Sequence, residues 1–227
     1  MWWRVLGVAA VLLCVGVAGG YAVADRSSDE PSTGKILEPV PAVSPAVPTT
    51  PPHPVFPDPG TAPLESDIAT HPEVLRLPQR GAGVIAQVPD GWRLNANGDT
   101  WTLAKEGNPT NTYGLRIELV FDQRQSVTVV KGARMAALEQ SQDEGNMFEL
   151  EVTAESDDAF EASYIDRTSY RRVTAERYVA FAGEAAYVVV AATGRTVDTE
   201  GLRDLVSRIA DSMLELRKDE KAPDLTP

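Results

Sequence analysis

Histidine and cysteine are almost missing from this chain of 227 residues. There are two histidines, His53 and His71, and one cysteine, Cys14. The histidines fall in a proline-rich stretch and the cysteine in an apolar N-terminal run, so the globular part has neither. Ser-His-Asp and Cys-His catalysis are thereby excluded from that part, and so are zinc sites built from Cys or His. Disulfide support is excluded too, since no second cysteine exists to pair with Cys14. G-x-S-x-G, the P-loop and G-x-G-x-x-G are all missing, so those three routes to acyl, phosphoryl or dinucleotide chemistry are not signalled. The sequence therefore offers no catalytic residue, no cofactor ligand and no metal ligand, and a non-enzymatic protein is expected. Positive charge is also scarce, with 21 Lys and Arg against 33 Asp and Glu and a net charge of −12. A nucleic-acid partner would need the opposite balance.

Charge is missing altogether from Val5 to Ala24 (VLGVAAVLLCVGVAGGYAVA). A run of this length at 1.5 Å per residue spans a hydrocarbon core of roughly 30 Å. Arg4 precedes it and Asp25, Asp29 and Glu30 follow, which places the N-terminus in the cytoplasm and the rest outside. Trp2 and Trp3 suit the aromatic belt at the membrane interface. Residues 1–24 are thus expected to be a transmembrane anchor, with a signal peptide cleaved after Ala24 and a secreted product as the alternative, because Ala22-Val23-Ala24 fits the A-x-A pattern. Cys14 is preceded by Leu12-Leu13, which does not fit a lipobox, and reads as apolar filler.

Proline is concentrated rather than scarce. Thirteen of the 17 prolines lie between Pro31 and Pro78. Each removes a backbone donor and holds its predecessor extended. Residues 25–78 are therefore expected to be a disordered polyproline-II-like spacer. Residues 79–217 have the composition of one globular domain, and 218–227 form a charged tail expected to fray.

Within the domain the patterns alternate. Gly83–Val88 and Thr100–Ala104 read as strands, with Trp92 opening an extended piece between them and Asn97-Gly98 turning the chain. In Tyr113–Phe121, Leu115, Ile117, Leu119 and Phe121 share a face. Ser126–Gln140 reads as a helix with Val127, Val130, Ala133, Ala137 and Leu138 in one arc, and Arg134 intruding. Strands are expected over 148–152, 160–164, 170–182 and 185–192. A closing helix carries Leu202, Leu205, Val206, Ile209, Met213 and Leu216, with Asp198 or Thr199 as its N-cap. An antiparallel sheet flanked by two helices follows, an α+β fold in the form of an α/β/α sandwich.

The motifs VPDGW (Val88–Trp92), RIEL (Arg116–Leu119), AYVVVAATGR (Ala186–Arg195) and DTEGLRDLVSRIADSM (Asp198–Met213) resemble the PsbP/LpqN-like superfamily, in particular its actinobacterial extracytoplasmic members. The resemblance spans about residues 83–215. It implies a PsbP-like fold and a binding or accessory role beside larger assemblies, and no ligand residue carries over from it.

Residues 135–165 hold nine acids and no base, and 167–177 hold four arginines. Cross-strand charge pairing is the expected outcome. Two sharper alternatives are a calcium site at Glu155-Ser156-Asp157-Asp158 and a charged partner face formed by Glu149, Glu151, Arg171 and Arg172. Trp92, Trp101, Tyr113, Tyr164, Tyr170 and Tyr178 sit at strand positions, where aromatics more often fill a core than line a groove. The expected function is a single-pass membrane protein whose extracytoplasmic domain binds envelope proteins, with no cofactor. A small-ligand or lipid carrier, with its pocket between sheet and helix, is the alternative.

Overall fold

In the computed structural model the described residues are 52–77, 82–107, 112–120, 124–183 and 185–216. They belong to one compact unit, 51–227. Ten strands and two α-helices build it, in the order β1 Thr70–Arg76, β2 Gly83–Pro89, β3 Trp92–Asn97, β4 Thr100–Lys105, β5 Gly114–Leu119, α1 Val127–Asp143, β6 Met147–Glu155, β7 Ala159–Asp166, β8 Arg171–Val179, β9 Val188–Arg195, α2 Thr199–Ser212 and β10 Leu214–Leu216.

Seven strands form the main sheet, ordered β3-β4-β5-β9-β8-β7-β6. Every neighbouring pair in it is antiparallel. A second sheet, β1-β2-β10, is also antiparallel. The expected α+β class and its two helices are present.

Side chains alternate across a strand, so each strand serves both faces. One face carries Trp101, Leu103, Leu115, Ile117, Val188, Val190 and Ala192, packed with Leu202, Leu205 and Ile209 of α2 and with Val84, Ala86 and Val88 of the small sheet. The opposite face carries Phe160, Ala162, Tyr178 and Val189 under Val130 and Leu138 of α1. The layers are therefore α1, the main sheet, and a mixed layer of α2 with the small sheet.

Several details differ from the expectations. The small sheet lies outside the expected pattern. Its β1 falls inside the stretch 25–78 read as spacer, and Pro72 is accommodated because β1 is an edge strand. The closing helix ends at Ser212. Leu214–Leu216 turn away to pair with β2, and Leu216 is buried there rather than on the helix. In α1 the buried stripe runs through Val130, Lys131 and Leu138, while Ala133 and Ala137 are exposed. Ser126 caps this helix, accepting from Val129 N–H at 3.4 Å. Phe121 lies outside the described residues. So do Trp2, Trp3, Arg4 and the apolar run Val5–Ala24; among the described residues no helix is long and apolar enough to cross a membrane.

Candidate functional site

Residues 53–68 lie along the domain as a strap. His53 stacks on Phe148 of β6, with ring centroids 3.4 Å apart. Phe56 N–H donates to Ser169 O at 2.7 Å, and its ring meets Tyr170 edge-on. Further along, the strap meets the end of β9. Arg195 Nη1 donates to the carbonyls of Pro59 and Thr61, each at 3.0 Å, and Nη2 donates to that of Ala62 at 2.9 Å. Leu64 then enters the core, and its N–H donates to Asp198 Oδ1 at 2.8 Å. Finally Asp67 N–H reaches Asp204, and Arg208 donates to Ile68 O.

Proline-rich backbone suits this clamp. It offers carbonyls that no strand partner claims, and its stiff backbone loses little entropy on docking. The clamp itself is a bidentate ion pair: Arg195 Nε and Nη2 hold the two oxygens of Asp198 at 2.8 and 2.7 Å. Both side chains are fully buried. Burial pushes the Asp198 carboxyl up, but bonds from the Arg195 side chain, Leu64 N–H and Arg195 N–H outweigh it and hold the group below the usual carboxylate range. Asp198 occupies the N-cap position of α2 expected for it, yet its side chain makes no capping bond because Arg195 and Leu64 take both oxygens. Gly201 permits the approach, since a Cβ there would stand 2.3 Å from Leu64 O.

A second polar feature lies on the α1 side of the main sheet. Helix α1 packs on β6 and β8 but leaves the half over β3, β4 and β5 open. That half shows Arg93, Asn95, Thr102 and Ala104 as exposed side chains. Along the edge of α1 runs a cavity of about 290 Å³ lined by Arg116, Glu118, Arg134, Glu176 and Tyr178. Glu176 is fully buried, with Oε1 accepting from Arg134 Nε at 2.9 Å and Oε2 from the Tyr178 hydroxyl at 3.1 Å. Burial and then the Glu176 charge push the Tyr178 hydroxyl upward, so it stays a donor. Burial lowers Arg134, but Glu176 beside it raises it further, so the guanidinium stays charged. A second cavity of about 300 Å³ is lined by Tyr113, Tyr164, Asp166, Arg172 and Thr193. Arg172 Nε donates to Asp166 at 2.9 Å. With both oxygens of Glu176 engaged, and with Asp166 held by Arg172, Thr168 and Tyr170, neither carboxylate stands free as a base. The arrangement suits recognition by hydrogen bonds.

The four residues of the expected partner face divide. Glu149 and Arg171 form an exposed pair, and Glu151 is exposed one turn of the pleat away. Arg172 points to the opposite side of β8 and is buried over Tyr170 and against Asp166. The proposed calcium cluster is occupied by bases: Glu155 is held by Lys131 at 2.9 Å and Asp158 by Arg177 at 3.3 Å. Glu161 is likewise paired with Arg203. Glu149, Glu155, Asp158 and Glu161 of the acidic stretch are thus paired with bases on other elements. Trp101 and Tyr178 are buried in the core, and Trp92 stacks on Tyr113. Sequence reasoning missed Arg195 and Asp198. The signal was there in an arginine closing an otherwise uncharged strand, followed three residues later by an acid.

The chain matches no protein-family model. No curated protein matches it either. Among solved structures it is similar to the Ran-binding protein Mog1p of Saccharomyces cerevisiae, with 9% identity, a TM-score of 0.42, and coverage of 64% of this chain and 95% of that one. It is also similar to LpqN of Mycobacterium tuberculosis, described as involved in cell envelope biogenesis, with 14% identity, a TM-score of 0.34, and coverage of 66% and 93%. Both TM-scores are low, and the functional reading rests on this chain's own residues.

Proposed function

We propose that this is a non-enzymatic, membrane-anchored extracytoplasmic module that binds a protein partner in an envelope or secretion assembly. Residues 5–24 are its transmembrane helix, the spacer sets its reach, and the domain is a PsbP/LpqN-like one. The strap is the observation that carries this reading. A domain that merely floated on a tether would need no clamp on the tether's last residues. Here a fully buried ion pair fixes them, so the chain enters the domain at His53 beside β6. Strands β6 and β3 are the two edges of a seven-stranded sheet. At about 4.8 Å per strand the β3 edge stands about 29 Å from the entry point. The open sheet half over β3–β5 thereby lies toward the sheet edge opposite His53.

The partner docks on that open half, through Thr102, Arg116 and the Arg134–Glu176–Tyr178 cavity. Photo-crosslinkers placed at Thr102 and at Val129, on the outer side of α1, test the assignment in intact cells. Adducts to another envelope protein are expected from Thr102 and not from Val129, and the full chain is expected to stay with membranes after a high-salt wash. Equal adducts from both positions, or none from Thr102, would refute the docking face. A mature N-terminus at Asp25 would refute the anchor.

A further inference from the structure

The two edges of the main sheet are built differently. Edge strand β6 is guarded. Its pairing with β7 is interrupted by irregularities between Phe148 and Glu151 and between Val152 and Ala154. Glu149 holds a positive φ of 51°, and Glu149, Glu151 and Glu155 put three acids on the strand. Bulges and charge of this kind are how sheets avoid edge-to-edge pairing. Edge strand β3 has no bulge and a single charge, Arg93. It pairs with β4 in unbroken register from Trp92 to Asn97, and it carries no acid, lysine or proline. Arg93, Asn95, Ala96 and Asn97 are all exposed.

We infer that β3 pairs antiparallel with β3 of a second copy of this chain, about a two-fold axis at Asn95. Residues directly opposite in an antiparallel pair share a face. In this register Asn95 meets its own mate, Leu94 lies across from Ala96, and Arg93 lies across from Asn97. No like charges face each other, although the chain carries a net charge of −12. Apolar side chains continue the face that packs on the small sheet, and polar side chains continue the open face. The β6 edge cannot do the same, because an antiparallel self-pairing there would bring its acids together. The pairing joins two open sheet halves into one surface. It goes beyond the partner-docking reading and does not depend on it: self-association is read as mass, and partner docking as a crosslink to a different protein.

The test uses the full chain in detergent micelles, with its protein mass measured by light scattering. A dimer is expected. Asn95→Lys together with Asn97→Lys sets lysine against lysine at the axis and lysine against Arg93 on each side, and weakening on the order of 10-fold or more is expected. Mixing that variant with Asn95→Glu restores a heterodimer. In a Cys14→Ala background, Asn95→Cys is expected to form an intermolecular disulfide, since opposed Cα atoms at about 4.5–5.5 Å lie within disulfide range. Val152→Cys on β6 is the control and does not. A monomer at every concentration, a dimer unmoved by the two lysines, or equal crosslinking from positions 95 and 152 would overturn the inference.

Discussion

Arg195 and Asp198 are the residues that turn a proline-rich tail end into part of the fold. Neither is exposed, and between them they hold four backbone groups of the strap. Removing one charge of a buried pair strands the other, at a cost of about 3–5 kcal/mol. Asp198→Asn is therefore expected to lower the urea midpoint sharply at neutral pH. The same residue sets an acid limit. Its folded carboxyl lies below its ordinary value, as does that of Asp166, where burial raises the group but bonds from Thr168, Arg172 and Tyr170 lower it more. Groups held low stabilise the fold above their unfolded value of about 4, and that stability is lost as pH falls through the folded value. Chemical denaturation from pH 7 down to about pH 3 should show a flat midpoint and then a decline, with a shallower decline in Asp198→Asn. An equal decline in both would exclude Asp198 as a cause.

Helix α2 shows why an element cannot be judged on propensity alone. Glycine inside a helix costs about 1 kcal/mol relative to alanine, so Gly201→Ala would stabilise an isolated α2. In this fold a Cβ at 201 would collide with the Leu64 carbonyl and carbon. Gly201→Ala is expected to destabilise the domain by about 1–3 kcal/mol, and in a chain that begins after Leu64 the sign should reverse; thermal unfolding of both pairs reads this directly. Much of α2 was legible in advance, because Leu202, Leu205, Val206 and Ile209 repeat at helical spacing and all are buried. Its end was not, since Met213 and Leu216 fit that spacing equally well and only pairing with Ile85 and Gly83 decides for β10. Helix α1 was harder. Its buried stripe includes Lys131, with the half-buried Arg134 beside it, and these bases are met by the exposed Glu155 and the buried Glu176, 24 and 42 residues away. Alternation found the strands β2, β4, β5, β7 and β9 for a similar local reason, but nothing local marks β1. Its role follows from β2, whose two edges both need a partner.

At the scale of the whole domain, the strap of residues 53–68 ties distant parts of the chain together. Proline density alone says spacer, and for a run of prolines that inference is sound; it misses that a stiff chain with free carbonyls is also a good ligand for a buried guanidinium. Arg195 and Asp198 carry a local signal, but what they clamp was not legible in the sequence because Pro59–Leu64 lies more than 130 residues away. With the strap in place, β6 lies beside His53 and β3 forms the opposite edge of the main sheet. The measurement that tests this most directly is hydrogen exchange at the Leu64 amide in the native chain. Its N–H donates to a fully buried carboxylate, so the account predicts exchange as slow as that of the core amides of β8 and β9. Exchange at the rate of an unprotected peptide would contradict it, because residues 53–68 would then be a free spacer and not part of the fold.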